Sequence, residues 1–231
     1  MDLVDDGAVP TDSALTPRAA RHAALGDPTR LAIVDELACA DRSPGELRRR
    51  LGLGSNLLAH HLDVLEEVGL VERSRSSGDG RRRYVHLLAD ALAELGERPS
   101  VPVGPALFVC TANSARSQLA ATLWSDLTGH PAASAGTHPA RAVHPRAAAA
   151  ARRVGLDLSG AVPRSLDELD ELPELVVTVC DRAHEELPPD DDRLHWSVPD
   201  PVPQGTPEAF DAAVTELRAR IETALADEAA P

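Results

Sequence analysis

The sequence contains no lysine and is poor in cysteine and in aromatic residues. All 23 basic residues of the 231-residue chain are arginines, which together with its many alanines is typical of GC-rich coding. Aromatic residues make up 2% of the chain, so the core must consist mainly of leucine, valine and alanine. Cys39, Cys110 and Cys180 are too few and too scattered for a disulfide framework, which favours a reducing cytoplasm. The chain opens with no signal peptide and has no membrane-length apolar run, so we expect a cytoplasmic protein with no membrane partner.

Charge is distributed unevenly along the chain, whose formal net charge is −14. Residues 1–15 carry −4 and residues 91–231 carry −11, whereas residues 16–90 contain 12 arginines and 11 acids. The middle segment is therefore the only one whose charge does not oppose a polyanionic partner. Composition and periodicity divide the chain into a disordered acidic tail (1–15), a helical unit with a hairpin (16–95), a Pro/Gly linker (96–105) and an alternating α/β domain (106–226).

Residues 16–95 have the pattern of four helices followed by a β-hairpin. Helices are predicted to begin near Pro17, Pro28, Pro44 and Ser55, and two strands flank the turn Ser77-Gly78-Asp79-Gly80. Two short helices around a glycine turn, followed by a basic hairpin, match a mainly-α winged helix-turn-helix. Its second helix would enter the major groove, and its wing would contact phosphates or a minor groove. The candidate DNA-binding residues are Ser55, Asn56, Ala59, His60, Arg73, Arg75, Arg81, Arg82 and Arg83.

Two segments of this unit, LGDPTRL at 25–31 and LAHHLDVLEEVGLV at 58–71, resemble the ArsR family of metalloid- and metal-responsive repressors. The resemblance implies a homodimer, formed through this unit, that binds palindromic operator DNA. Many arsenite sensors of that family carry a Cys-x-Cys pair where this sequence has Cys39 alone. Because As(III) prefers two or three sulfurs, Cys39 is a weak arsenite-ligand candidate and can equally be a packing residue. A partner cysteine from the other subunit, or signalling through the second domain, could still supply a sensor, and no metal site is predicted.

Cys110 ends the apolar segment Ala106–Cys110 and is followed by a tight loop and a helix-forming stretch. A Cys-x5-Arg spacing at such a strand–loop–helix junction can combine a thiolate with an oxyanion site. Loop amides and the helix N-terminus attract negative charge and favour the thiolate, while the forked guanidinium of Arg116 can hold two oxygens. Asp200, between two prolines after another predicted strand, is the candidate proton donor. The predicted oxyanion-binding loop contains Thr111, Ala112, Asn113, Ser114, Ala115 and Ser117, where Ser117 should hydrogen-bond the Cys110 sulfur and Asn113 should hold the loop's shape.

Residues 106–226 alternate between strand-like and helix-like segments. Strands are predicted at 106–110, 132–136, 175–180 and about 194–197, and helices at 117–128, about 144–154, near 165–171 and at 207–226. This alternation predicts a parallel four-stranded sheet with helices on both faces. Ligands in such folds bind at the carboxyl ends of strands, where the Cys110 loop falls.

Four motifs together resemble the low-molecular-weight protein tyrosine phosphatase fold and its arsenate reductase branch: Cys110-x5-Arg116-Ser117, Ser134–Thr137, Val179–Asp181 and Asp200-Pro201. The resemblance implies that Cys110 attacks arsenic, Arg116 holds the oxyanion and Asp200 protonates the leaving oxygen. Gln118, Thr178–Asp181 and His195-Trp196 favour the reductase branch.

The redox cysteines depart from that branch. Its thioredoxin-coupled members have a second cysteine where this chain has Leu187. Either Cys180 resolves the Cys110 adduct or a small thiol does so. The resemblance implies no bound cofactor and an external thiol reductant, either mycothiol with mycoredoxin or thioredoxin.

The sequence therefore predicts a fused transcriptional regulator and arsenate reductase, with operator DNA, an arsenate or phosphate oxyanion and a thiol-redox protein or small thiol as partners. Two alternatives stay open. One is a low-molecular-weight phosphatase acting on phosphotyrosine or a small phosphate ester. The other is a non-catalytic repressor whose C-terminal domain senses the oxyanion.

Overall fold

The computed structural model describes residues 15–88, 91–92, 101, 103–169, 171–190 and 192–225. Two units, each with its own hydrophobic core, make up this part of the chain. The predicted acidic tail falls, apart from Leu15, outside the described residues, and so does the predicted linker apart from residues 101 and 103–105. No helix in the described ranges is long and apolar enough to cross a membrane.

The N-terminal unit consists of four helices and an antiparallel hairpin, as predicted. They are α1 (Leu15–Leu25), α2 (Pro28–Ala38), α3 (Pro44–Leu51), α4 (Ser55–Glu67), β1 (Val71–Arg75) and β2 (Arg83–Leu87). The predicted caps explain two of the helix starts: Asp27 Oδ1 accepts from the Thr29 and Arg30 amides, and Ser43 forms a capping box with Glu46. Gly52, with φ 66°, makes the turn between α3 and α4 because the left-handed conformation strains any residue with a Cβ. Helix α4 contacts strand β1 of the hairpin.

The C-terminal unit is an α/β sandwich around one parallel sheet. Its elements are β3 (Ala106–Cys110), α5 (Arg116–Thr128), β4 (Ala132–Gly136), α6 (Pro145–Arg153), a 3₁₀ turn (Leu166–Glu168), β5 (Leu175–Thr178), α7 (Asp181–Glu186), β6 (Leu194–His195), α8 (Pro201–Gln204) and α9 (Pro207–Ala224). The strand order is β4-β3-β5-β6, and every neighbouring pair is parallel, which confirms the predicted four-stranded sheet. Every residue of β3 is buried, so Cys110 ends a strand at the centre of the core.

Several predicted boundaries in this unit are wrong. The strand predicted at 175–180 ends at Thr178, and the one at 194–197 has only two residues. The helix predicted near 165–171 is a three-residue 3₁₀ turn. The prediction also missed α7, which starts where Cys180 caps the helix by accepting a hydrogen bond from the Ala183 amide at 3.4 Å. Cys180 is therefore a helix cap rather than a strand residue.

The two units pack against each other through buried polar groups. Asp41, between α2 and α3, is 1% exposed; its Oδ1 lies 2.9 Å from Arg220 Nη1 of α9 and 3.0 Å from His86 Nδ1. Its Oδ2 accepts a hydrogen bond from the Ser197 amide at 2.7 Å. Burial raises the pKa of Asp41, but Arg220 and His86 outweigh burial and hold that pKa well below its usual range. The units are therefore joined by a buried, ionised carboxylate.

Candidate active site

The loop Cys110–Arg116 is held in place from its outer side. Backbone amides of Thr137, His138, Ala140 and His144 donate to the carbonyls of Cys110, Thr111, Ala112 and Ser114 at 2.8–3.2 Å. In a trans peptide the carbonyl and the next N–H point in opposite directions, so outward carbonyls turn the following loop amides inward. The first-turn amides of α5, which also border the loop, have no acceptor within the helix. The loop is therefore a concave array of N–H donors suited to an anion.

The Cys110 sulfur is surrounded by hydrogen-bond donors. The Asn113 amide donates to Cys110 Sγ at 3.2 Å, and Ser117 Oγ lies 3.0 Å from the same sulfur. Ser117 Oγ accepts from Asn113 Nδ2 at 2.8 Å, so its own proton is directed at Cys110. The hydrogen bond predicted between Ser117 and Cys110 is present. Both donors stabilise negative charge on the sulfur, as a nucleophilic thiolate requires.

Asn113 braces the loop in a conformation that few residues adopt. It is fully buried with φ 46°, in the left-handed region that asparagine tolerates better than most side chains. Its Oδ1 accepts from the Arg164 amide at 2.9 Å and from Gln118 Nε2 at 3.1 Å. Gln118, which the sequence singled out, therefore holds Asn113 and does not enter the cavity.

Gly136, at the end of β4, lets the neighbouring strand approach the loop. A Cβ at this position would lie 2.7 Å from the Thr111 carbonyl oxygen and 3.0 Å from Asn113 Cβ. These distances are too short for any other residue without displacing the loop. Within the motif Ser134–Thr137, Gly136 thus allows the close packing of β4 against the loop because it has no side chain.

Arg116 and Asp200 meet at the edge of the loop. Arg116 is 7% exposed; its Nη1 donates to the Val198 carbonyl at 2.8 Å, and its Nη2 lies 3.1 Å from Asp200 Oδ2. Asp200 Oδ1 accepts from the Val202 amide at 3.1 Å and so caps α8. Backbone groups of Val198 and Val202 thus hold the two side chains, and the carboxyl group lies beside the guanidinium.

Cys180 is a second thiol on the same cavity. Its sulfur accepts from the Thr111 amide at 3.3 Å and lies 3.4 Å from Thr111 Oγ1. Burial raises the pKa of the Cys180 thiol, while Arg116 acts in the opposite direction. The cavity has a volume of about 390 Å³ and is lined by Ser77, Cys110, Thr111, Ala112, Ser114, Ala115, Arg116, Cys180, Arg182, Asp200, Val202 and Pro203.

The structure brings most of the predicted active-site residues together. Asn113 and Ser117 support the loop without lining the cavity. Cys39 lies elsewhere, at the C-terminal end of α2, where burial raises the pKa of its thiol. The prediction from sequence did not include Ser77 and Arg182, which also line the cavity. Ser77 comes from the hairpin of the other unit, and no local sequence pattern indicates such a contact.

Most of the predicted DNA-binding residues are exposed to solvent. Ser55, Asn56, Ala59 and His60 are exposed on α4, and Arg75, Arg81, Arg82 and Arg83 are exposed on the hairpin. Arg73 differs, because Asp63 Oδ1 lies 2.7 Å from its Nη2 and Glu66 lies nearby. Its charge is largely neutralised within the unit. A cleft of about 750 Å³ beside α3 and the hairpin is lined by eight arginines: Arg42, Arg48, Arg49, Arg50, Arg81, Arg82, Arg83 and Arg193.

Family comparisons agree with this architecture. Residues 106–229, more than half of the chain, match the model of the low molecular weight phosphotyrosine protein phosphatase family. The chain belongs to this family. Residues 25–74 of this phosphatase-family chain match a helix-turn-helix domain. The two resemblances predicted from the sequence, to a helix-turn-helix protein and to a low-molecular-weight phosphatase, are confirmed.

Among its relatives, this member of the phosphatase family is similar to arsenate reductases. It is 35% identical to the arsenate reductase of Halalkalibacterium halodurans over 127 residues, which cover 50% of this chain and 91% of the relative. It is 34% identical to the arsenate reductase of Brevibacillus brevis over 121 residues, covering 50% and 89% of the two chains. A solved arsenate reductase from Archaeoglobus fulgidus shares 29% identity with a TM-score of 0.45, covering 51% of this chain and 95% of its own.

Proposed function

We propose that the chain is a fused transcriptional regulator and arsenate reductase. The observation that carries the reductase is the meeting of Cys110, Arg116, Asp200 and a second thiol, Cys180, around one cavity. A phosphatase needs the first three groups, whereas reduction of an oxyanion also needs a thiol that can take the Cys110 sulfur off the product. The similarity to arsenate reductases supports this choice.

In the first step the Cys110 thiolate attacks As(V) of arsenate. An S–As bond forms and one As–O bond breaks, and the leaving oxygen departs as water after receiving a proton from Asp200. The inward loop amides and Arg116 hold the remaining oxygens. Asp200 is placed for this role by its contacts with Arg116 and with the Val202 amide.

In the second step a thiolate attacks the Cys110 sulfur and forms a disulfide. The electron pair of the S–As bond passes to arsenic, which leaves as As(III), so two thiols are oxidised as one arsenic is reduced. We propose Cys180 as this thiol because it borders the same cavity and contacts Thr111 beside Cys110. An external thiol reductant then restores both cysteines.

We propose that the N-terminal unit binds operator DNA as a homodimer. The exposed residues of α4 would read bases, and the exposed arginines of the hairpin would contact phosphates. The match to a helix-turn-helix domain supports this assignment.

The test of the reductase is an NADPH-coupled assay with arsenate and a thiol-redox system, run with thioredoxin and with mycothiol plus mycoredoxin. Turnover should disappear in Cys110→Ser. Cys180→Ser should stop turnover if Cys180 resolves the adduct and should leave it intact if a small thiol does. Faster hydrolysis of p-nitrophenyl phosphate than reduction of arsenate would favour the phosphatase instead. Absence of turnover with every thiol system would refute the reductase.

A further inference from the structure

The turn of the hairpin, Ser76–Asp79, is bound to the C-terminal unit. The Ser77 amide donates to Asp181 Oδ2 at 2.6 Å, and the Asp79 amide donates to Glu185 Oε2 at 2.9 Å. The Ser76 hydroxyl donates to Glu185 Oε1 at 2.5 Å. Two carboxylates of α7 therefore hold three donors of the turn.

Gly78 is the point of closest contact between this turn and α7. A Cβ on Gly78 would lie 2.7 Å from Glu185 Oε2, 2.9 Å from Arg182 Cα and 3.0 Å from the Arg182 amide nitrogen. Two of these atoms belong to the helix backbone and cannot rotate away. Gly80, which follows the turn, would have nothing within 4 Å of an added Cβ. The turn therefore fits against α7 only because residue 78 has no side chain.

The same helix connects the turn to the candidate active site. Cys180 immediately precedes α7 and caps it, and its sulfur also contacts Thr111 of the Cys110 loop. Ser77 itself lines the cavity that contains Cys110 and Arg116. The turn of the hairpin thus contributes one residue, Ser77, to the lining of the cavity that holds Cys110.

The docked turn is unsuited to DNA. Backbone amides are among the groups from which DNA phosphates accept hydrogen bonds, and two amides of this turn already donate to Asp181 and Glu185. The same carboxylates would repel a phosphate brought close to the turn. Engagement of the wing tip by DNA therefore requires its release from α7.

From this juxtaposition we propose that the turn Ser76–Asp79 has two alternative positions. In one it is docked on α7 and borders the cavity that binds an inorganic oxyanion, and in the other it is released and contacts DNA. Binding of the oxyanion and binding of DNA should therefore oppose each other. The proposal rests on the DNA-binding half of the proposed function and on oxyanion binding, but not on turnover. An oxyanion in the cavity stabilises the docked turn, because Ser77 lines that cavity only while the turn is docked. Linkage requires that DNA weaken oxyanion binding by the same factor.

The test is fluorescence anisotropy of a labelled duplex, taken from the DNA upstream of the chain's own coding sequence, with the full-length protein. Phosphate is the probe, and chloride of matched ionic strength corrects for the salt dependence of DNA binding. For the wild type, phosphate should raise the apparent Kd for DNA about fivefold or more. Gly78→Ala should bind DNA about fivefold more tightly without phosphate and lose the phosphate response.

Gly80→Ala is the matched control and should behave as the wild type. Hydrogen exchange at residues 76–79 should be faster in Gly78→Ala than in Gly80→Ala. Glu185→Gln, which weakens the same docking without a steric clash, provides a second variant should Gly78→Ala not fold. Calorimetry of phosphate binding with and without the duplex should return the factor measured for DNA.

Equal DNA affinity and an equal phosphate response in the wild type and in a released variant would overturn the proposal. Hydrogen exchange at residues 76–79 that is unchanged from the wild type in both Gly78→Ala and Glu185→Gln would also overturn it. A wild type and Gly78→Ala that both fail to bind the duplex would refute the DNA-binding function itself. A normal phosphate response without arsenate turnover would refute only the reductase.

Discussion

Replacing Asp41 by asparagine should show how much the buried carboxylate contributes to stability, apart from the other contacts between the two units. Asp41 Oδ1 faces Arg220 and His86, and its Oδ2 accepts from the Ser197 amide. Asparagine is nearly isosteric but has one acceptor oxygen in place of two. If that oxygen faces Arg220, the new NH₂ group meets the Ser197 N–H, so two donors oppose each other in a site that is 1% exposed.

The loss of unfolding free energy depends on how well Arg220 remains paired after the substitution. Removing one partner of a buried ion pair destabilises a protein by about 3 to 5 kcal/mol. Arg220 retains Glu216 at 2.8 Å, so we expect the lower limit, about 3 kcal/mol. With an m-value of about 3 kcal/mol/M, the urea midpoint should fall by about 1 M.

The contribution of Asp41 to the unfolding free energy should change with pH in a definite direction. The pKa of Asp41 is depressed in the folded protein relative to its ordinary value of 3.8, so its contribution is present above that value and is lost as the pH falls. The difference in unfolding free energy between wild type and Asp41→Asn should be largest at neutral pH and should shrink below about pH 4. Urea unfolding followed by far-UV circular dichroism at several pH values measures it.

Asp211→Asn is the matched control for this experiment. Asp211 pairs with Arg153 on the surface, where both side chains are nearly half exposed, and exposed pairs contribute about 0 to 1 kcal/mol. An Asp41→Asn variant no less stable than Asp211→Asn, or a difference that does not change with pH, would refute the assignment of Asp41 as an ionised group joining the two units.

Two further predictions concern the Cys110 loop. Arg116→Lys keeps the charge but loses the fork that reaches both Val198 and Asp200, so kcat/KM for arsenate should fall about 100- to 1,000-fold with an unchanged circular dichroism spectrum; a fall of less than tenfold would contradict the role of the fork. Gly136→Ala places a methyl group 2.7 Å from the Thr111 carbonyl oxygen and should destabilise the protein by about 1 to 3 kcal/mol in urea unfolding, whereas Gly160→Ala, with open space at its Cβ, should change little; equal effects would contradict the tight approach.

The candidate active site was predictable from sequence where its determinants are local. Strand β3, the loop and the start of α5 follow one another within about a dozen residues, so the spacing of Cys110 and Arg116 already implies the geometry. The parallel sheet was predictable because each strand is separated from the next by a helix-like or irregular crossover segment. Asp200 was found because two prolines mark its loop.

Other features of the fold and the site could not be predicted, because they depend on contacts that the hydrophobic periodicity of the sequence does not indicate. Helix α7 has six residues, too few for a helical pattern, and its cap is a cysteine sulfur, which is not among the usual capping groups. Arg73 was assigned to DNA from its place in a basic hairpin, but the fold brings Asp63 of α4 against it. Ser77 and Asp181 are 104 residues apart, and only the packing of the two units joins them.

The bond between Asp41 and Arg220 also imposes an order of events during synthesis. Among the described residues, the core of the N-terminal unit ends at Leu92, so its apolar residues can collapse while the rest of the chain is being made. Asp41 and Arg220, however, are 179 positions apart, a delay on the order of 10 to 40 seconds at ordinary rates of translation. During that interval Asp41 can pair with His86 of its own unit but not with Arg220. The contact between Asp41 and Arg220 can therefore form only after α9 has been synthesised.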